Sequence, residues 1–419
     1  MLKKITNYIG LLGLIICLTL SSCEPKETKT TIKFSTWGSE TEINILKPLV
    51  KEFEENNPDI KVELLHIPQN YFQKLHMLVA TNLTPDVMFI NNLNMPVYAS
   101  GNILKDLSNK VIDDPIINQK AFYKKSLETM SYHNKLLAIP RDVSNVVIYY
   151  NKDIFDQNDV NYPKPDWTIE DFLKTAQKLT LKEKNKTKRF GSSFSTLPIF
   201  FLPFVWSDGG DLFSKNEQSL ALSNEKSCNA LQFYADLRNE YHVAPTDAES
   251  GNNTMAQLFM QQRIAMFVSG RWSVPRFRQD LKFNWDIINF PQGSSGSVIG
   301  ADGSGWAIYS KTKHPDEAWK LVQFLASKEA ITEFTKTGLI VPARKDVANS
   351  KFFFTPDTKP ESAYLFLSII ENAKPTPKIE RWNEVIDTIN TALEPAWNGN
   401  TTTCKALNKV KNEVNELLK

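Results

Sequence analysis

The feature that most constrains the fold is a regular change of hydrophobic period over residues 31–90. Stretches in which apolar residues alternate or run together are separated by stretches in which they recur every three or four residues, as strands and amphipathic helices require. The pattern predicts strand, helix, strand, helix and strand over residues 32–34, 39–56, 60–64, 71–80 and 87–90. Such alternation builds a parallel sheet with helices on both faces. The chain is therefore predicted to be an α/β protein.

Length and a second series of elements predict two lobes. A chain of 419 residues is too long for one ordinary hydrophobic core. Apolar segments predict strands at 136–140 and 146–150, and the gap 141–145 between them is interpreted as a crossover between lobes. Further strands are predicted at 190–194, 264–268, 285–290 and 306–309, and helices at 168–179, 224–241, 254–262 and 315–327. The chain beyond residue 345 is predicted to be mostly helical, with a proline-containing break at 374–378.

The N-terminus has the pattern of a secretory signal peptide. Lys3 and Lys4 precede an apolar run at 9–20, which is shorter than the roughly 20 apolar residues of a membrane-spanning helix. Leu20-Ser-Ser-Cys23 resembles the lipobox of bacterial lipoproteins, which implies cleavage before Cys23 and diacylation of that residue. A plain signal peptide whose cleavage site includes a cysteine is the alternative. We expect a signal peptide at 1–22, a polar tether at 23–30, and anchoring to the outer face of a bacterial membrane, in the periplasm or at the cell surface.

The charge balance of the chain argues against one class of protein. The formal charge is +2, and removal of the two N-terminal lysines would leave equal numbers of basic and acidic residues. A near-neutral surface argues against nucleic-acid binding, which needs a concentrated basic face.

Two cysteines, Cys228 and Cys404, remain in addition to the lipidated one, because Cys17 leaves with the signal peptide. An oxidising compartment permits a bridge between them, but two separate buried thiols are an equally good interpretation.

Catalytic and metal-binding motifs are missing from the sequence. It has no GxSxG, HExxH, Walker or GxGxxG motif. The five histidines are scattered without ligand spacing, and no Cys/His cluster is present. No catalytic residue, metal or cofactor is therefore predicted.

Aromatic and polar residues instead gather at predicted segment ends. In open parallel sheets, ligands bind beyond the carboxyl ends of the strands. The apolar C–H face of a pyranose packs on an aromatic ring, and its hydroxyls need donors and acceptors from polar side chains. For any single tryptophan, core packing is an equally good interpretation. The residues in predicted loops are Trp37, Asn91, Asn92, Arg141, Asp142, Trp206, Asp208, Trp272, Trp306 and Arg344.

The chain resembles the extracellular solute-binding proteins of ABC sugar importers, the group of the maltose- and multiple-sugar-binding proteins. The resemblance runs from about residue 31 to 344 and depends on the order and spacing of several motifs. These motifs lie at 53–62, 85–87, 135–140, 149–153, 206–210, 265–272, 314–319 and 338–344. It implies a two-lobed periplasmic-binding-protein-like fold of type II, with lobes joined by hinge crossovers. Lobe one would comprise 31–141 and 302–345, and lobe two 142–301 and 346–419.

The resemblance also implies a set of ligand-binding positions. Many relatives carry a carboxylate in the loop after the Pro85-Asp86 strand, where this chain has two asparagines. The hydroxyl pattern that the site would recognise is therefore left open. The implied positions are Trp37, Glu40, Asn91, Asn92, Arg141, Asp142, Trp206, Gly210, Asp211, Trp272, Gly303, Trp306 and Arg344.

These inferences together predict a monomeric receptor that captures a mono- or oligosaccharide by hinge closure and delivers it to the permease subunits of an ABC transporter. A receptor for another solute, such as glycerol phosphate, a polyamine or an oligopeptide, is the first alternative. A phosphate would need more cationic loops, and a polyamine would need a carboxylate-rich cleft. A secreted glycosidase lacks a carboxylate pair flagged by spacing, and a structural adhesin would not need the ordered motifs.

Overall fold

The computed structural model describes residues 29–184, 186–355, 358–370 and 373–419. The predicted signal peptide, the lipidated Cys23 and the tether up to residue 28 lie outside these residues. The strands are β1 (Thr30–Thr36), β2 (Ile60–His66), β3 (Val87–Asn91), β4 (Ser131–Tyr132), β5 (Lys135–Leu136), β6 (Ile139–Ser144), β7 (Val146–Asn151), β8 (Leu181–Glu183), β9 (Lys186–Ser192), β10 (Ile264–Gly270), β11 (Trp285–Ile288), β12 (Gly300–Ile308) and β13 (Lys374–Pro375).

The α-helices alternate with these strands and then fill the C-terminal part. They are Glu40–Asn56, Tyr71–Ala80, Met95–Ser100, Lys124–Thr129, Lys152–Gln157, Ile169–Leu179, Pro198–Ser207, Glu225–Asn239, Asp247–Ser250, Met255–Met260, Val274–Asp280, Pro315–Leu325, Lys328–Lys336, Lys345–Ala348, Leu365–Ser368, Trp382–Trp397 and Thr403–Leu417. Within the described ranges, no helix is long and apolar enough to cross a membrane.

The first sheet confirms the predicted parallel unit. Its strand order is β13-β12-β3-β1-β2, and β6 also pairs with β12. Strand β1 runs parallel to both β2 and β3. Strand β12 is antiparallel to β3, with Gly305 opposite Ile90. The core around this sheet draws on residues 32–139 and 306–347, so a late segment of the chain completes the first lobe.

The second sheet forms the other lobe, and its strands β7 and β10 are buried on both faces. Its order is β11-β7-β10-β9-β8. Alternate residues of β7 enter different clusters: Ile148 packs with the two C-terminal helices, whereas Tyr149 packs with the segment around Phe353 and Phe366. Because successive side chains of a strand point to opposite faces, the chain after residue 346 covers both sides of this sheet.

The connection between the sheets differs from the predicted loop. Arg141–Ser144 belongs to β6, and only Asn145 separates β6 from β7. Backbone pairing with β12 places Ser304 opposite Asp142. The loop prediction for 141–145 is therefore wrong, because charged residues interrupt the apolar run although the strand continues. The polar segment 291–303 is predicted from the sequence as a loop, but β12 already begins within it, at Gly300.

The two remaining cysteines form a disulfide. Cys228 and Cys404 are bonded, with their Cα atoms 5.0 Å apart. The bond joins the helices Glu225–Asn239 and Thr403–Leu417, which both pack in the core of the second lobe. Of the two sequence-based interpretations, the structure therefore supports the bridge.

Candidate ligand-binding cleft

A cavity of about 390 Å³ lies where the two lobes meet, within the range of small-molecule sites. Its walls come from the ends of strands in both sheets and from the loops that follow them. The first lobe provides Trp37, Ser39, Glu42, Phe89, Asn91, Asn92, Leu93, Arg141, Asp142, Leu339 and Ile340. The crossovers and the second lobe provide Val143, Ser144, Asn145, Ile199, Arg271, Trp272, Asp302, Gly303, Ser304 and Val341.

A buried ion network forms part of the first-lobe wall. The Arg141 guanidinium pairs with the carboxylate of Glu42 and donates through Nε to Asp142 Oδ2 at 2.9 Å. Its charge also lies 5.2 Å from the ring centre of Phe89 and 5.6 Å from that of Trp306. Burial opposes the charged form of Arg141, but the two carboxylates outweigh it and raise its pKa. The cation therefore stays ionised, and the two carboxylates are held in place.

The position of Glu42 follows from the helix start. Ser39 caps the helix Glu40–Asn56 by accepting from the Glu42 amide at 3.4 Å. The spacing of Ser39 and Glu42 in the sequence predicts a capping box, but among the described contacts the Glu42 side chain bonds Arg141 and not the Ser39 amide. The prediction of a cap at Ser39 is confirmed, and the prediction of a full capping box is wrong. A tertiary partner has displaced the local one.

The return crossover is tied to the same wall. Asp142 accepts from the Ser304 amide at 3.0 Å and from its hydroxyl at 2.8 Å. Asn92 donates through Nδ2 to Asp302 Oδ1 at 2.9 Å and accepts from the Gly303 amide at 3.0 Å. These bonds connect the loop after β3, strand β6 and strand β12 at one end of the sheet.

Asp302 is a buried carboxyl group in this wall. Burial raises its pKa, and hydrogen bonds from Thr376 and Asn92 oppose that effect. Both bonds go to the same oxygen, Oδ1. Thr376 follows β13, so the C-terminal segment also reaches the cleft.

Two partly exposed tryptophans face the cavity from opposite lobes. Trp37 is 45% exposed and its ring lies 5.9 Å from that of Phe89. Trp272 is 40% exposed and follows β10. A Cβ atom at Gly270 would collide with the Trp272 ring, so glycine is required there for the ring to fold back over the strand. Large aromatic rings left open to a cavity are suited to stacking on a flat apolar ligand face.

Seven of the thirteen predicted positions line the cavity, and six lie elsewhere. The lining positions are Trp37, Asn91, Asn92, Arg141, Asp142, Trp272 and Gly303. The structure does not place the other six in its walls, namely Glu40, Trp206, Gly210, Asp211, Trp306 and Arg344.

Two tryptophans of the predicted set are core residues. Trp306 is predicted near a loop and as a ligand-binding position, but it lies inside β12, fully buried, with its ring 5.5 Å from that of Phe34. Trp206 is not in a loop: it lies near the end of the helix Pro198–Ser207, where it is buried and donates through Nε1 to Asp211 at 3.1 Å. The loop predictions for both positions are therefore wrong, because Trp306 lies inside a strand and Trp206 near the end of a helix, and both rings are buried.

The remaining four positions also have structural roles or point away. Arg344 is buried, pairs with Asp346 at 2.9 Å and donates to the carbonyl of Ile116 at 2.9 Å. A Cβ at Gly210 would lie 2.8 Å from the Cα of Ser227, so close packing requires glycine there. Asp211 pairs with Lys374 at 2.5 Å. Glu40 is exposed at the helix start, two residues before the carboxylate that does line the cleft.

Several polar lining residues are not among the predicted positions. Glu42 has the sequence pattern of a helix cap, and Arg271 lies beside Trp272 in the motif 265–272. Motif membership was the signal that could have identified Arg271. For the others no local signal existed, because strand pairing brings them to the cleft. The missed polar residues are Ser39, Glu42, Ser144, Asn145, Arg271, Asp302 and Ser304.

Comparisons with known proteins agree with this architecture. A family model described as bacterial extracellular solute-binding protein matches residues 37–332. The galactooligosaccharide-binding protein of Bacillus subtilis (strain 168) is 27% identical, covering 98% of this chain and 96% of the relative. A maltooligosaccharide ABC transporter solute-binding lipoprotein of Streptococcus pneumoniae (strain ATCC BAA-255 / R6) is 23% identical over 70% of this chain and 68% of the relative.

A solved structure shows the same fold with a ligand. The ABC substrate-binding protein Lmo0181 from Listeria monocytogenes, in complex with cycloalternan, superposes with a TM-score of 0.86 at 27% identity. The match covers 93% of this chain and 98% of that chain. The predicted two-lobed α/β fold is thereby confirmed.

Proposed function

Because the chain belongs to the bacterial extracellular solute-binding protein family, we propose that it is the component of an ABC importer that captures a saccharide in the interlobe cleft. The observation that carries this proposal is the pair of open rings, Trp37 and Trp272, on opposite sides of one cavity. One ring can stack on each side of a bound sugar, and the polar strand ends between them can bond its hydroxyls. The names of the relatives, which refer to oligosaccharides, support the same ligand class.

The space around Trp272 favours an oligosaccharide over a single sugar. A second cavity of about 310 Å³ shares this ring and is lined by hydroxyl groups such as those of Ser195 and Ser269, with the rings of Phe200 and Tyr234. Two adjoining cavities that share one aromatic wall suit two or more consecutive sugar rings. We therefore propose a ligand of at least two units.

The mechanism follows from the crossovers. Asn145 is the single residue between β6 of one sheet and β7 of the other, and residues 289–299 make the return connection. A small backbone change at such positions rotates one lobe against the other. The ligand drives closure only through its higher affinity for the closed form, in which both rings contact it. The closed form is what the permease is proposed to recognise.

The carboxylates in the first-lobe wall of the cleft already have a cationic partner. Glu42 and Asp142 share the Arg141 cation and are not available as a free pair for acid–base cleavage. A polyamine would also find these carboxylates already paired. Solute binding therefore accounts for the wall better than hydrolysis or polyamine capture does.

Location is proposed from the N-terminal pattern. We propose export and lipid anchoring through Cys23, which the lipoprotein name of a relative supports. Replacement Cys23→Ser should move the protein from the membrane fraction to the soluble fraction of cells. Retention of the variant at the membrane would contradict the anchor.

Calorimetry with defined oligosaccharides tests the binding proposal. Trp37→Ala and Trp272→Ala should each weaken the Kd of the best galacto- or maltooligosaccharide at least tenfold, which is about 1.4 kcal/mol. Tyr364→Ala is the matched control, because that ring is exposed and lies outside the cavity walls. Unchanged affinity in both tryptophan variants would remove the rings from the site. Failure of every saccharide to raise Tm would refute the function itself.

A further inference from the structure

Within the part of the chain that the structure describes, one cation of the cleft is buried without a counter-charge. Arg271 directly follows β10, lines the cavity and is only 2% exposed. Its guanidinium carbon lies 3.8 Å from the ring centre of Phe353 and 5.4 Å from that of Phe366. The rings cover the group but offer no lone pair to its N–H donors.

The N–H donors of Arg271 lack an acceptor in the described ranges, since Nε, Nη1 and Nη2 have no hydrogen-bond partner there. Arg141, on the other side of the same cavity, bonds two carboxylates. Burial and the nearby Arg278 cation lower the pKa of Arg271 to about 9, so it still carries its proton at neutral pH. Buried charges in proteins are normally paired, which makes this an incomplete arrangement.

An unpaired acceptor lies beside these donors. Asn145 donates through Nδ2 to the Phe366 carbonyl at 2.8 Å, but its Oδ1 has no partner within the described part of the chain. Strand pairing sets Gly270 opposite Val146, so Asn145 and Arg271 are the next residues beyond that end of the ladder. Both line the cleft cavity. Arg271 and Asn145, which follow paired strand ends, thus contribute several buried donors with a positive charge and one buried acceptor, all without a partner among the described residues.

We propose that Arg271 and Asn145 form a subsite for an acidic sugar unit, which rests on the proposed function in saccharide capture. The carboxylate of a uronic acid accepts from the Arg271 guanidinium, whose planar fork matches two carboxylate oxygens. The hydroxyl on the neighbouring ring carbon donates to Asn145 Oδ1. A neutral sugar can satisfy the asparagine but leaves the buried cation without a counter-ion.

The other charges of the cleft orient such a ligand. The carboxylates of Glu42 and Asp142 pair with Arg141, and that of Asp302 accepts from Thr376 and Asn92. Glu42 and Asp142 belong to the first-lobe wall, where two carboxylates share the single Arg141 cation and leave no free positive charge for an anion. The acidic unit therefore lies against the second lobe, and the Phe353 ring has to turn aside to admit the carboxylate.

Paired neutral and acidic ligands test this subsite. We compare digalacturonate with galactobiose by calorimetry at pH 7, using the mature chain without its lipid. The wild-type protein should bind digalacturonate at least tenfold more tightly. Arg271→Gln should abolish that preference through a loss of digalacturonate affinity of at least tenfold, and Arg271→Lys should retain part of it. Arg381→Gln is the control, since this exposed arginine lies outside the cavity walls.

The outcomes separate this subsite from the general function. Equal or tighter wild-type binding of galactobiose would overturn the acidic subsite and leave saccharide capture standing. Retention of the full preference in Arg271→Gln would assign the anion to another cation and overturn it too. If Arg271→Gln does not fold, the wild-type preference and its partial retention in Arg271→Lys decide the question. Binding of neither ligand nor any other saccharide would remove both proposals.

Discussion

Replacing Arg141 by methionine should destabilise the protein strongly. The methionine fills much of the space between Phe89, Trp306 and Phe334, whose ring centres lie within 5.6 Å of the guanidinium carbon. It removes the only cation that contacts both Glu42 and Asp142 among the described ion pairs. Two buried carboxylates then remain without a counter-charge.

The magnitude follows from the cost of breaking a buried ion pair. Removal of one partner from such a pair destabilises proteins by about 3–5 kcal/mol. A loss of 1 kcal/mol lowers Tm by about 2–4 °C in a unit of 150–250 residues. Arg141→Met should therefore lower Tm by roughly 10 °C.

Differential scanning calorimetry of the mature chain measures the effect, and a triple variant identifies its cause. Glu42→Gln with Arg141→Met and Asp142→Asn removes all three charges, keeps an acceptor oxygen for the Ser304 amide, and supplies an amide N–H that can donate to the Ser304 hydroxyl. Because a fully neutral network avoids the unpaired charges, the triple variant should recover most of the lost Tm. A single variant that melts within 2 °C of wild type, or a triple variant as unstable as the single one, would refute the reasoning.

Three further predictions concern the disulfide, the buried acid and the corrected tryptophan. Cys228→Ala with Cys404→Ala should lower the free energy of unfolding by up to about 5 kcal/mol, because the bond closes a loop of 176 residues. Alkylation of both cysteines in the unfolded but unreduced wild type would contradict the bond. Burial raises the pKa of Asp302 in the folded protein above that in the unfolded chain, so this group destabilises the wild type as pH rises and the carboxyl group ionises. The Tm of Asp302→Asn relative to wild type should therefore improve from pH 4 to pH 8, and a pH-independent difference would contradict this. Trp206→Phe should lower Tm but leave saccharide affinity within twofold in calorimetry; a tenfold loss would return this ring to the site.

The hydrophobic periodicity of the sequence predicted much of the local structure correctly. The helix predicted at 71–80 is the helix Tyr71–Ala80, and the strand predicted at 87–90 is extended by one residue in β3. Thr168 caps its helix with both bonds of a capping box. These features depend on neighbours within a few residues, so a sequence pattern contains the information. The α/β class follows, since alternating strands and helices leave few other arrangements.

Tertiary structure alone decided which polar and aromatic residues meet in the cleft. Trp272 and Trp306 look alike in the sequence, yet one ring lies over Gly270 at a strand end and the other lies in a strand flanked by β3 and β6. Glu42 carried the signal of a helix cap and instead reached Arg141, which is distant in the chain. Pattern and spacing report the near neighbours of a residue along the chain. Segments that are distant in sequence determine which side of a strand is exposed and which charged residue lies opposite it. Only folding brings these segments together.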